Sequence, residues 1–357
     1  MKNITYHEQK KNENSEKLRE LINELPKFTK DFFRGIENIT ESRTRIAYAI
    51  DLRIFFQFIK ENNPLYKDVD IKNIPLKVLD EMNASDIEEY MDYLKSYEHE
   101  GEKLTNYERG LKRKLSSLRT FYNYYHKNKY INTNPVLQVS MPKIHQKTIT
   151  RLDEDEVSEL LDTVESGGTM TNRQAVFHEK NKVRDLALVT LLLGTGMRVS
   201  ECVGIDINDL DFKHDRVKIT RKGGYEAYVY FGEEVREALL DYLEERKLIT
   251  GLDEASENAL FISSKKKRLS VRMIEVLVKK YASEVTSTKK ITPHKLRSTY
   301  GTSLYRETGD IYLVADVLGH RDVNTTKKHY AAVEDERRRM AKDKVTLRER
   351  NKQNKNR

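Results

Sequence analysis

The chain has 357 residues and a mass of 42.0 kDa, too long for one typical domain and enough for two, each with a core of its own. Hydrophobic residues make up 38% and charged residues 34%, and no stretch approaches the ~18 consecutive apolar residues of a membrane span. The 65 basic against 57 acidic residues leave a net charge of +8, which suits a polyanionic partner without demanding one. One cysteine, Cys202, excludes disulfides within the chain and any multi-cysteine zinc site; in RVSECVGI it reads as a small buried thiol. The polar N-terminus MKNITYHEQKKNENSEK has no apolar signal-peptide core, so a cytoplasmic protein is expected.

From Ser15 to about Lys143 the pattern is helical. TRIAYAIDLRIFFQFIKE (Thr44 to Glu61) repeats apolar residues at three-and-four spacing, as an amphipathic helix does. Ser85 is the expected N-cap of the helix DIEEYMDYLKSY, with acids in its first turn. Thr105 or Asn106 then opens a long helix, YERGLKRKLSSLRTFYNYYHKN, both basic and aromatic. The polar stretch INTNPVLQVSMPKIHQKTITRLDEDEV carries Pro135 and Pro142 without sustained periodicity; it reads as an interdomain linker running into a helix start at Leu152-Asp153-Glu154. Beyond it, KVRDLALVTLLLGTG reads as a buried helix ending in glycine. RVKIT and YEAYVYF flank Lys222-Gly223-Gly224 as the strands of a hairpin, and helices return from Glu233. The fold class expected is mainly α with a small β-sheet, in two domains.

Several residues stand out chemically. In TPHKLR, Thr292 suits an N-cap and Pro293 the first helical position. That places His294 and Arg297 on one face near a terminus that favours anions. Arg198 follows the Gly-x-Gly break after the apolar helix and needs a partner, for which Glu201 is three residues away. Lys222 sits at the hairpin tip, where a lysine is ordinarily just solvated but can also reach a leaving group as a proton donor. His320 leaves a buried helix through Gly319, and Tyr330 follows ten residues later among 20 tyrosines. Taken singly, each has a plain structural reading: an ion pair, a cap neighbour, a solvated tip.

As a set they answer one problem. Transferring a DNA phosphodiester to a side chain builds charge on the non-bridging oxygens, which two guanidiniums can hold. A phenol can attack if its ordinary pKa near 10 is offset locally, and the departing 5′-oxygen needs a proton. Neither metal nor other cofactor is expected.

The ordered series Arg198, Lys222, His294-Lys-Leu-Arg297, Leu318-Gly319-His320 and Tyr330, with the pieces GTGMRVSE, HKLR and LGHRDVNTT, resembles the catalytic signature of the tyrosine recombinases, the phage-integrase class. The likeness covers nearly the whole chain. It implies a helical extension over residues 1–40, a SAM-like core-binding domain over 41–143, a linker over 144–147, a catalytic domain over 148–346 and a basic tail over 347–357. The length and the stretch TNRQAVFHEKNKVRDLAL are similar to the single-recombinase Xer proteins of Gram-positive bacteria.

By that resemblance Arg198 and Arg297 clamp the scissile phosphate, His294 and His320 assist proton transfer and charge stabilisation, Lys222 protonates the leaving oxygen and Tyr330 is the nucleophile. Glu201 matches the supporting acidic position. Strand exchange would pass through a 3′-phosphotyrosine and a Holliday junction, in a homotetramer on double-stranded DNA with paired inverted-repeat sites. Xer-type chromosome-dimer resolution is the expected role. The ten-residue interval from His320 to Tyr330 is instead common among integrases of conjugative and transposable elements, and Ser298 stands where many relatives have histidine. The resemblance leaves open whether a DNA translocase or an excision factor takes part; a type IB-like topoisomerase would share the chemistry without paired sites. Lys112, Arg113, Lys114 and Arg119 on the long helix are expected to face DNA as the two domains close around it, against the plain alternative of a solvated helix face. Residues 337–347 of the C-terminal segment are expected to pack on a neighbouring protomer.

Overall fold

The computed structural model describes residues 5–99, 101–145, 150–169, 171–320 and 322–323, and the chain divides into two compact units, Met1–Lys147 and Thr148–Arg357. Tyr330 and the C-terminal segment lie outside the described residues.

The first unit is a helical bundle with one small hairpin: α1 (Tyr6–Asn23), α2 (Thr29–Gly35), α3 (Ser42–Asn62), α4 (Val78–Glu81), α5 (Ala84–Tyr93), β1 (Ser96–His99), β2 (Glu102–Thr105) and α6 (Glu108–Lys127). Its core is aromatic. Phe121 of α6 meets Phe32 at 5.1 Å and 86° and Tyr125 at 5.1 Å and 73°, while Phe55 of α3 meets Tyr90 of α5 at 5.1 Å. Such edge-to-face pairs add about 0.5–1.5 kcal/mol each beyond their burial. The rings of α6 are thus core residues. Leu18, Leu21, Leu25, Phe32 and Phe33 join the same cluster, so the residues before Ser42 fold into this core rather than beside it.

Three local expectations are corrected. The N-cap of α5 is Asn83, not Ser85, because Asp86 three residues on completes a reciprocal capping box with Asn83. The long helix is capped at Tyr107 and begins at Glu108, one residue or more later than expected. The helix read through DYLKSY stops at Tyr93; Tyr97 still packs on Tyr93 at 5.4 Å, but from β1, which pairs antiparallel with β2. The four-residue spacing of the two tyrosines suits either geometry. The front of the stretch read as a linker also belongs to this unit, since Ile131, Val136 and Val139 are buried in its core.

The second unit comprises α7 (Glu154–Ser166), α8 (Asn172–Glu179), α9 (Lys182–Thr195), α10 (Val199–Val203), β3 (Leu210–Asp211), β4 (Arg216–Thr220), β5 (Glu226–Tyr230), α11 (Glu233–Lys247), α12 (Val271–Val285), α13 (Pro293–Thr308) and α14 (Ile311–Leu318). Helix α9 is its axis: Ala187, Leu188, Val189, Leu191 and Leu192 are fully buried, with α7, α11 and α13 packed around them. A helix apolar on every side can only sit inside. The sheet runs β3-β4-β5, antiparallel, with Val217, Ile219 and Val229 facing inward. Helix α8 is held by His178, whose Nδ1 lies 3.1 Å from the Tyr281 hydroxyl; that hydroxyl donates to Asp185, which in turn takes Arg184.

Candidate active site

Two helix ends build the site. α9 ends at Gly196 (φ +61°) and α14 at Gly319 (φ +61°), both in the left-handed region where glycine is at ease. Each end turns its last carbonyls outward, and the carbonyl end of a helix carries partial negative charge that draws cations.

Arg297, in α13, is 4% exposed; its Nη1 donates to the Gly196 carbonyl at 2.7 Å and its Nη2 to the Leu318 carbonyl. Arg198 leaves the Gly196 turn as the N-cap of α10. Its Nη2 donates to the Gly319 carbonyl at 3.2 Å, its Nη1 to Glu201 Oε1 at 2.8 Å, and its backbone N–H to Glu201 Oε2 at 2.7 Å. Glu201 is itself buried, so this is no surface pair: a carboxylate beneath the guanidinium orients it from behind. Two cations from distant parts of the chain are thereby fixed on one turn, Leu318–Gly319.

His320 follows that turn directly, its backbone N–H donating to the Ala315 carbonyl at 2.8 Å. Thr292 and Pro293 cap and open α13 as expected, but His294 is exposed while Arg297 is buried, so the two divide between the rim and the floor. Lys222 is exposed at the tip of the β4–β5 hairpin, a tip closed by Arg221 N–H to the Tyr225 carbonyl at 2.7 Å and Gly224 N–H to the Arg221 carbonyl at 3.0 Å. Arg221 was not foreseen: its Nη2 donates to the Val317 carbonyl at 3.3 Å, on the same α14 terminus. The adjacency of Arg221 to Lys222 and Gly223 is the only sequence signal it carries.

Two further groups near the site are held back by burial. Burial, with Glu201 adding to it, pushes the Cys202 thiol well above its ordinary range. Burial also raises the phenol of Tyr300, whose ring lies against Gly196.

The basic patch on α6 resolves differently from the expectation. Lys114 is only 4% exposed, and its ammonium lies 3.2 Å from Asp51 Oδ1; burial holds it below the ordinary lysine range while Asp51 works the other way. A buried ammonium paired to a carboxylate is not presented to DNA, which corrects the DNA-facing assignment of Lys114. Arg113 grips the same carboxylate with both terminal nitrogens, and Ser117 donates to it as well. Arg119 donates to the Val136 and Val139 carbonyls, tying α6 to the segment after it, so it too has an internal task. Lys112 is half-buried and outside this cluster.

Residues 150–337 match the phage integrase family. The tyrosine recombinase XerC of Caldanaerobacter subterraneus subsp. tengcongensis is 32% identical over 310 residues, spanning 84% of this chain and 81% of that protein. XerC of Listeria monocytogenes serotype 4b is 36% identical over 217 residues, spanning 60% and 68%. Among solved structures, the XerH site-specific recombinase bound to palindromic difH substrate, a post-cleavage complex, is similar with a TM-score of 0.64 at 19% identity, covering 85% of this chain and 80% of that one. The Tn1549 transposon integrase in complex with transposon right end DNA gives 0.61 at 18% identity, covering 88% and 98%.

The fold is that of the tyrosine recombinases, mainly helical with a small sheet. The chain belongs to the phage integrase family and is a DNA strand-exchange enzyme.

Proposed function

We propose that the enzyme is a site-specific recombinase that breaks and rejoins DNA through a covalent 3′-phosphotyrosine on Tyr330. The observation that carries this reading is the convergence of Arg198 and Arg297 on the Leu318–Gly319 turn, with His320 next in the chain. In the reaction, the Tyr330 oxygen forms a bond to phosphorus while the bond to the 5′-oxygen breaks. Arg198 and Arg297 hold the non-bridging oxygens as their charge grows, and Glu201 keeps Arg198 aimed. Lys222 delivers a proton to the departing 5′-oxygen; His294 and His320 assist proton movement and charge balance at the rim. The reverse attack, by a 5′-hydroxyl from the partner strand, releases Tyr330 and exchanges strands through a Holliday junction.

The substrate is double-stranded DNA with paired inverted-repeat sites, engaged by a tetramer of this chain, with Lys112 and the exposed part of Arg113 supplying contacts to the phosphate backbone. Residues 337–347 would dock on the neighbouring protomer. No described helix is long and apolar enough to cross a membrane, in keeping with an enzyme that works on cytoplasmic DNA. The Xer relatives favour chromosome-dimer resolution. The ten-residue interval from His320 to Tyr330 favours a second reading, an integrase of a conjugative or transposable element.

One experiment tests both. Covalent protein–DNA adducts are trapped in cells expressing the enzyme, with Tyr330→Phe as control, and the attached DNA ends are sequenced. Adducts at one short palindrome-like chromosomal site support dimer resolution; adducts at the ends of a mobile element support the integrase reading. Adducts that persist in Tyr330→Phe would move the nucleophile elsewhere, and none in the unaltered enzyme would remove covalent chemistry altogether.

A further inference from the structure

Three consecutive carbonyls at the end of α14 each receive a different guanidinium: Val317 takes Arg221, Leu318 takes Arg297 and Gly319 takes Arg198. Two of these arginines are the phosphate clamp proposed above. The third stands at the root of the hairpin that carries Lys222.

Arg221 is held from both sides. Its main chain closes the hairpin tip through Tyr225 and Gly224. Its side chain lies flat against Gly319: a Cβ added there would stand 2.1 Å from Arg221 Nη1 and 2.5 Å from Cζ. Only a residue without a side chain lets the guanidinium come so close, and the positive φ of Gly319 favours glycine independently. The Arg221 Nε is buried with no hydrogen-bond partner among the described residues, an unfavourable state that other contacts of the side chain must offset. Lys222 is the next residue, its Cα about 3.8 Å from that of Arg221, on a loop whose Gly223 (φ +95°) and Gly224 (φ +81°) restrain it little by themselves.

We infer that Arg221 is a positioning residue for the leaving-group proton. It seats the Lys222 hairpin on the same α14 turn that holds Arg198 and Arg297, so proton donor and phosphate clamp share one reference point. A mobile tip would otherwise present the ammonium only part of the time, and small misplacements of a reacting group are costly. The inference rests on the reading of Lys222 as the proton donor and adds the element that aims it.

The test uses a duplex carrying the cleavage site recovered from the trapped adducts, in two forms: with the ordinary 5′-bridging oxygen at the scissile phosphate, and with sulfur in its place. A thiol has a pKa near 8.5, so the thiolate departs without a donated proton. Single-turnover cleavage is measured for the unaltered enzyme, Lys222→Ala, Arg221→Ala and Arg221→Lys, with DNA binding and thermal melting as folding controls. Lys222→Ala should lose about 10²–10⁴-fold on oxygen and recover on sulfur. Arg221→Ala should lose about tenfold or more on oxygen and recover to within about threefold on sulfur, because its defect passes through Lys222. Arg221→Lys keeps the charge but not the flat contact over Gly319, and it should show a smaller defect of the same kind, readable even if the alanine variant folds poorly.

Equal losses on both substrates would make Arg221 a phosphate ligand or a packing residue and overturn the inference. Near-normal cleavage of the oxygen substrate by both Arg221 variants would do the same. If Lys222→Ala itself fails to recover on sulfur, the proton-donor reading falls first and takes the inference with it.

Discussion

Two basic clusters, one in each unit, invite comparison because each gathers cations on one anchor, and the anchors differ in kind. On α6 and α3, Arg113, Lys114 and Ser117 surround one buried carboxylate, Asp51. At the end of α14, Arg198, Arg221 and Arg297 are held mainly by main-chain carbonyls, with Glu201 behind Arg198 alone. A carboxylate cancels the charge it binds. A carbonyl fixes a guanidinium in place and leaves its full charge in force, which is what a site for a phosphate requires. The first cluster is therefore read as structure and the second as machinery, although sequence composition alone makes the KRK run of α6 look the more inviting surface.

The largest effect is expected from emptying the first cluster. Asp51→Ala leaves Lys114 buried without its counter-charge and should lower the unfolding free energy by about 3–5 kcal/mol, read by urea denaturation. Cleavage per folded molecule should change little, because the cluster lies in the other unit from Arg198, Arg297 and Lys222. An unchanged denaturation midpoint would mean that Asp51 does not hold α3 and α6 together.

The second cluster should respond chiefly in rate. Arg198→Ala is expected to slow single-turnover cleavage by about 10²–10³-fold, the usual consequence of losing one donor to a developing oxyanion. The variant also leaves the buried Glu201 carboxylate with the backbone N–H of residue 198 in place of a guanidinium, so stability should fall as well and the rate is taken per folded molecule. Cleavage near the unaltered rate would take Arg198 out of the clamp.

That contrast also marks what the sequence makes legible. Helices α3 and α9 are visible because their apolar residues repeat at the helical period, or fill every side. The ends of α13 and α14 are visible because Pro293 and Gly319 are residues whose backbone limits say where a helix starts or stops. Arg198, Lys222, His294, Arg297 and His320 could be picked out because their order resembles a known signature. Lys114 lies on the apolar stripe of α6, three residues after Leu111 and four before Leu118, so its inward turn is legible from spacing; its partner Asp51, 63 positions away, is not. Arg221 was hidden for the same reason: its acceptor is 96 positions away, and the tight fit over Gly319 exists only once hairpin and helix are folded together. The Asn83 cap was open to view, yet two good capping residues stand within three positions and only the reciprocal bond from Asp86 selects between them.

The smallest predicted effect sharpens the division within α6 itself. If Lys112 faces a DNA phosphate and Lys114 faces Asp51, the two lysines should differ in salt dependence. Lys112→Ala should reduce the slope of log binding constant against log salt concentration by about 0.9, one phosphate contact on duplex DNA. Lys114→Met, which replaces a buried ammonium with an apolar chain while Arg113 keeps Asp51 paired, should leave that slope unaltered. Fluorescence anisotropy across a salt series on one duplex reads both. Equal shifts for the two variants would mean that α6 releases Lys114 from Asp51 on binding DNA, so that the carboxylate cluster stores a contact which the complex then uses; a shift for Lys112 alone leaves the cluster as structure in both states.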